Sequence, residues 1–462
     1  MQQNQLKKGR ESNPVKIEFS SKLLTSWGGT SSIISRFLSK INFRVWVEES
    51  VPVSEISNNS TGVYSKIMSL FLTVLNGGDR FAHMNFWGDS LKVFQKCFQI
   101  ERLPQSSTSL TRFWNKFNSR FINEKYLQKA IQFSQMILKQ SQITSDTLRF
   151  DSSVLTRYGN QEGAKRGYNP TKRGRVSHQP QIAFLGSGFV VNLWNRSGNI
   201  SSGNGIIDYF KQTTAMISNI NIERVLADSG YYLVEFIEHL EDNGYEYVIS
   251  SPIIQILQKK IHQLTNWKTV GCGIEVAEFN FQHKSKKWNK NRRYIVVRQE
   301  IKKRLKATGK QLNLFKELEN VKGYRHALLI TNNTKDSPHT IWNYYKPRAN
   351  DENVIKDLKD GYGFAAFSMH DFWATEAVLI TLSLIFHNLI MYLMMFVISP
   401  KNPRKQLKTF RWSYLLIPGM LGRDGRKSVL RLGVRNSEKQ QIILKVLEKI
   451  KVLELNFQLQ CS

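Results

Sequence analysis

Residues 377–398 are 22 consecutive positions of mostly apolar character, and a run of that length leaves a folding chain two choices. About 20 such residues in a helix span the hydrocarbon core of a bilayer. Inside a protein the same helix becomes an axis around which other elements are laid. Thr381, Ser383, His387 and Asn388 fall near the middle of the run. Each would be costly in lipid, whereas neighbours in a protein interior can satisfy them by hydrogen bonds. The segment is therefore read as a buried helix packed against a sheet, and no membrane partner is expected.

A chain of 462 residues is too long for one ordinary core. Its formal net charge of +30, from 66 Lys and Arg against 36 Asp and Glu, reads as affinity for a polyanion, with nucleic acid first and an anionic membrane surface second. The excess peaks between Lys284 and Lys310, where twelve cations face one acid, Glu300. A smaller cluster, Lys165, Arg166, Lys172, Arg173 and Arg175, has no acid among it. Cys97, Cys272 and Cys461 lie too far apart in sequence for a paired zinc motif or a disulfide framework, which suits a reducing compartment. The segment Met1–Arg10 lacks the apolar core of a secretion signal, so the expected location is cytoplasmic, associated with the nucleoid.

Five regions follow from periodicity and texture. Residues 1–145 carry helical apolar spacing, as in Ile33, Phe37, Leu38 and Ile41 and again from Tyr126 to Leu138, and are read as a helical DNA-binding region. Within it, residues 106–117 form a capped helix that is either a recognition helix or the last structural helix before the next region. From 146 to 256 the texture turns to strands: one ending near Asp151, then 180–185 and 188–194, a helix around 205–217, a strand ending at Asp228, a helix over 231–242 and a strand over 245–249. Three antiparallel strands followed by helix, strand, helix, strand is the order of an RNase H-like α/β core. Residues 257–326 read as a basic, β-rich insertion, 327–400 as the second part of the core, and 401–462 as a helical region.

The densest chemistry lies at Tyr345, Arg348, Glu352 and Lys359. At about 100° per residue, Arg348, Glu352 and Lys359 fall within roughly 40° of one another on one helix face, with Tyr345 about 20° beyond. Pro347 disturbs that geometry, because proline is tolerated only at a helix start, so the tyrosine is expected to approach from a preceding turn. Asp351, Asp357 and Asp360 are rival acids, but Asp351 would point about 100° away from Glu352. Glu162 and His178 are read as structural or supporting groups.

The spacing Tyr, two residues, Arg, three, Glu, six, Lys resembles the signature of the DDE transposases of bacterial insertion sequences, the cut-and-paste group with a YREK motif. The string Ala227-Asp228-Ser229-Gly230-Tyr231 is similar to that family's second-aspartate motif. The resemblance runs from about residue 100 to 360. It implies that Asp151, Asp228 and Glu352 are the catalytic acids and metal ligands. Three converging carboxylates with hard oxygen donors select Mg²⁺, with Mn²⁺ as substitute, and two ions suit in-line phosphoryl displacement, with Asp151 bridging them. Water would first free a 3′ hydroxyl at the end of the element, and that hydroxyl would then attack target DNA. Arg348 and Lys359 would hold phosphates, Tyr345 would hydrogen-bond one, and Arg292 and Arg293 would belong to the DNA path. Trp267 and Trp288 are candidates to stack on a flipped base or to be core residues. The expected partner is duplex DNA, as transposon ends and as target, bound by a homodimer. Two alternatives stand beside this: a catalytically inactive DNA-binding derivative, and an RNase H-like nuclease or resolvase.

Overall fold

The structure, a computed structural model, describes residues 17–283, 288, 290–300, 324–398 and 406–453. The chain opens with the short strand β1 (Leu23–Thr25) and six helices: α1 (Ser35–Lys40), α2 (Phe43–Ser50), α3 (Val63–Leu75), α4 (Ser90–Cys97), α5 (Ser107–Trp114) and α6 (Arg120–Gln140). Their apolar stripes face inward. In α5, Leu110, Phe113 and Trp114 are buried while Arg112 is exposed, and Lys116 is held by Glu55, which makes this capped helix part of the packing.

Strands follow: β2 (Ser145–Ser152), then a small sheet of β3 (Leu155–Thr156), β4 (Lys165–Arg166) and β5 (Val176–His178), then β6 (Gln181–Leu185) and β7 (Val190–Trp194). Next come α7 (Ile206–Met216), β8 (Asn221–Ala227), α8 (Val234–Asp242), β9 (Tyr247–Ser250) and α9 (Gln255–His262). The strands β10 (Lys268–Gly271), β11 (Ile274–Phe281), β12 (Arg292–Glu300) and β13 (Tyr324–Thr331) complete one mixed sheet of nine strands in the order β10-β11-β12-β13-β9-β8-β2-β6-β7. The expected β-rich insertion therefore widens the main sheet; it does not stand apart from it. Most of the basic stretch 284–310 lies outside the described residues.

Beyond the sheet come α10 (Pro338–Tyr345), α11 (Asp351–Lys356), and one continuous helical rod from Phe372 to Ile398 that contains α12 (Phe372–Ile380) and α13 (Asn388–Tyr392) between wider turns. The four polar side chains in the middle of the rod each find a hydrogen-bond partner. Thr381 shares a hydrogen bond with the Tyr126 hydroxyl at 2.7 Å, and Ser383 donates to the Leu379 carbonyl. His387 bonds the Gly188 carbonyl oxygen, and Asn388 clamps both the N–H and the carbonyl of Val190 while donating to Ser134. The rod joins α6 to the edge strand β7, and its apolar length is buried in the protein.

One hydrophobic cluster runs through the N-terminal helices, the sheet and the rod, and reaches Val446 and Ile450 in the last helix. The region beyond 400 departs from the helical expectation. Between α14 (Leu407–Phe410) and α15 (Ser437–Val452) stands a hairpin of β14 (Gly419–Asp424) and β15 (Lys427–Leu432), paired to β1. Gly425, at φ +56°, supplies the first residue of its two-residue loop, a conformation that an L side chain rarely adopts.

Candidate active site

Asp151 and Asp228 become neighbours through strand register. The strands β2 and β8 run parallel, and their last pair is Phe150 with Ala227, so the next residues on both strands are the two aspartates. Neighbouring strands are about 4.8 Å apart, which sets the two carboxylates side by side. Side chains alternate along β2. Phe150 points into the core against Tyr209, Phe210 and Phe236, while Arg149 and Asp151 face the segment 338–361.

That segment is seated by a second apolar patch. Ile341 of α10 packs on Leu226, Val248, Ile295 and Leu329 from four adjacent strands, and Ser337 caps the helix by accepting from the Thr340 N–H. Pro347 sits near the start of a tight turn, Lys346–Asn350, that follows α10, and α11 and a wide turn over Asp357–Gly361 continue from it. The single α-helix expected to carry Arg348, Glu352 and Lys359 is thus three short pieces of different pitch, because the proline cannot continue α10. Tyr345, ending α10, donates its hydroxyl hydrogen to the Ala227 carbonyl at 3.3 Å, beside Asp228.

Arg348 reaches the aspartates. Its Nη2 lies 3.6 Å from Oδ2 of Asp151 and 3.6 Å from Oδ2 of Asp228. The other oxygen of each acid is tied to the backbone: Asp151 Oδ1 accepts from the Ser152 N–H and Asp228 Oδ1 from the Gly230 N–H, both at 2.8 Å. Burial pushes the Asp151 carboxyl up to about 6; Arg348 opposes the rise and Asp228 adds to it. For Arg348, burial works against the charge, but Tyr345 and the three aspartates 151, 228 and 351 outweigh it and raise its pKa. Lys359 has its pKa lowered by burial, with the Asp151 charge pulling the other way.

Glu352 is exposed and lines the same cleft of about 670 Å³ as Asp151, Asp228, Tyr345 and Arg348. Among the described residues no group of three His, Cys, Asp or Glu is gathered closely enough to hold a metal ion. Two acids meet, and the third stands on the wall of their cleft. The pair fits a hard divalent cation on its own terms: two Oδ2 atoms converge, all donors are oxygen, and positive charge already stands between them.

The acid next to Glu352 has another task. Asp351 is buried and accepts from Arg149 Nη1 at 2.6 Å, and the same guanidinium reaches the Pro347 carbonyl at 3.2 Å. This pair bolts the turn onto β2 two residues before Asp151. Only its position on the strand face of Asp151 hints at it in the sequence.

Other candidates lie apart. Arg292 is 5 % exposed and forms a two-pronged ion pair with Glu241, at 2.7 and 3.0 Å. Arg293 pairs with Glu278 at 2.6 Å and donates to the Asn333 carbonyl. Both guanidiniums are engaged within the fold, because the acids they meet come from α8 and β11, distant in sequence. Trp288 stacks on Tyr232 at 5.0 Å, and Trp267 lies under Arg298 at 3.9 Å; neither lines the cleft. His178 bonds Arg157 and the Glu162 carbonyl, and the Glu162 carboxylate accepts from the Phe372 N–H, so both are structural.

A mixed sheet with acids at the ends of adjacent parallel strands thus faces a cleft edged with cations. Over residues 11–455 the chain matches the family described as transposase DDE domain group 1, and it belongs to that family. It is a DNA transposase. No curated protein matches it. Among solved structures it is similar to the cryo-EM structure of the piggyBac transposase synaptic complex with hairpin DNA, at 11 % identity and a TM-score of 0.44, over 92 % of this chain and 81 % of that one.

Proposed function

We propose that this transposase works by cut-and-paste on the terminal inverted repeats of its own element, and that it belongs with the YREK group of bacterial insertion sequences. The proposal takes β7-β6-β2-β8-β9 as an RNase H-like core: three antiparallel strands, the first of them central, continued by two parallel strands that each follow a helix. The observation that carries it is the placement of Asp151 and Asp228 at adjacent strand ends with Oδ2 of both turned to one cation.

Asp151, Asp228 and Glu352 would hold two divalent ions, Mg²⁺ or Mn²⁺, whose chemistry is to activate the attacking oxygen and stabilise the leaving one. Glu352 would complete the set by turning inward along the cleft wall. Arg348, released from the aspartates, is placed to neutralise a non-bridging phosphate oxygen, and Lys359 adds positive charge near Asp151. Tyr345 fixes the mouth of β8, and its hydroxyl would have to turn from the Ala227 carbonyl to donate to a phosphate. Two such protomers would bring the two ends together.

The test is strand cleavage and joining of DNA carrying the element's ends, with Mg²⁺, by the full chain and by Asp228→Asn. The proposal expects cleavage followed by joining for the parent and neither for the variant, with end binding retained by both. Cleavage by Asp228→Asn at the parent's rate would overturn it.

A further inference from the structure

The β14–β15 hairpin carries charge that the fold leaves unanswered. β1 pairs only with Gly419, Met420 and Leu421, so from Gly422 to Ser428 the hairpin projects as a two-stranded ribbon. The register places Arg423 and Lys427 on opposite faces of that ribbon and leaves Arg426 in the loop at its tip. All three are exposed. Among the described residues none forms an ion pair, whereas the cations of β12, Arg292, Arg293 and Arg298, pair with Glu241, Glu278 and Glu275. Asp424 is the one acid of the ribbon.

The ribbon also forms one wall of a groove of about 640 Å³. The facing wall is α4, whose exposed Lys92 and Lys96, four residues apart, share one face with the half-buried Gln95. Glu101 is the single acid lining it.

We propose that this ribbon and groove form a duplex-DNA contact separate from the catalytic cleft. A two-stranded ribbon fits the major groove of B-DNA, about 12 Å wide. Cations on both faces and at the tip then meet the phosphates on both sides of that groove, while Lys92 and Lys96 flank the same backbone. A protein partner is disfavoured by composition: from Gly422 to Ser428 there is no large apolar side chain to anchor an interface. A second copy would bring its own share of a +30 charge against this one. The choice of ligand rests on the transposase reading; the site rests on the geometry of the hairpin.

The experiment measures binding of the full chain to a short duplex across a salt series, for the parent and for Arg423→Gln/Arg426→Gln/Lys427→Gln. Each lost phosphate contact lowers the slope of log K against log salt by about 0.9, so the triple variant should bind with a slope smaller by about 2 to 3. An unchanged slope overturns the site and leaves DNA binding standing; a parent that binds no duplex overturns both. Lysine acetylation of the unaltered chain guards against a variant that misfolds. Duplex DNA should protect Lys92, Lys96 and Lys427, and equal labelling with and without it overturns the proposal. Protection by anionic vesicles alone, or by raising protein concentration alone, overturns it in favour of a membrane or a second copy.

Discussion

Arg348 keeps its Nη2 atom 3.6 Å from Oδ2 of Asp228, and the same atom stands 3.6 Å from Asp151. Two carboxylates this close repel, and one guanidinium between them removes most of the conflict. The arginine is their counter-ion. Arg348→Ala should lower the melting temperature measured in EDTA, and Mg²⁺ should recover much of the loss by supplying charge at the same place. A variant as stable as the parent in EDTA would show that the aspartates need no such partner.

Arg149 and Asp351 are predicted to govern the position of Arg348 without touching DNA. Arg149→Met removes the 2.6 Å partner of the buried Asp351 carboxylate, whose contact with Arg348 Nε is longer at 3.9 Å, a loss of about 3 kcal/mol. Because the turn is then no longer tied to β2, cleavage should fall even where the variant is still folded. Urea unfolding together with cleavage rates checks this, and a folded variant with the parent's rate would contradict it.

Arg292 gives a contrasting case. It is buried beside Trp288 and paired with Glu241, so Arg292→Ala should cost about 3 kcal/mol in urea unfolding. The salt dependence of DNA binding should stay unchanged. A reduced slope at undiminished stability would return this residue to the DNA path.

Glu376 sets a pH dependence of stability. Burial pushes its carboxyl up to about 7 against an ordinary 4.5, while hydrogen bonds from the Asn195 N–H and the Asn123 amide pull it down. The folded protein therefore holds this proton more tightly than the unfolded chain does. The contribution is fully present below pH 4.5 and declines as pH rises to about 7, by ~3 kcal/mol. Glu376→Gln should flatten that decline and be the more stable protein at pH 8. Urea midpoints at pH 5 and pH 8 measure it; parallel profiles for parent and variant would remove Glu376 as the cause.

Much of the fold was legible because local signals and global packing agreed. An apolar run ending in an acid marked β8 and Asp228, Ser337-Pro338 marked the start of α10, and the polar groups inside the apolar rod pointed to a buried partner. The rest depended on contacts between distant parts of the chain. Nothing near Arg292 announces Glu241, 51 residues away, nor does Asp351 announce Arg149 across 202 residues. The hairpin at 419–432 did carry a local mark, the Asp424-Gly425 turn between β-prone runs, but it was submerged in a region that reads as helical. Pro347 told where α10 must stop and not what pitch would follow.

Asp151 and Asp228, joined by Glu352, are expected to hold divalent metal against a DNA strand. Anomalous diffraction from a Mn²⁺-soaked complex with cleaved end DNA tests it most directly. Manganese should be bound to both aspartates and Glu352, with Arg348 turned away onto a phosphate. Manganese absent from that cleft, or Arg348 still standing between the two aspartates with the DNA in place, would contradict it.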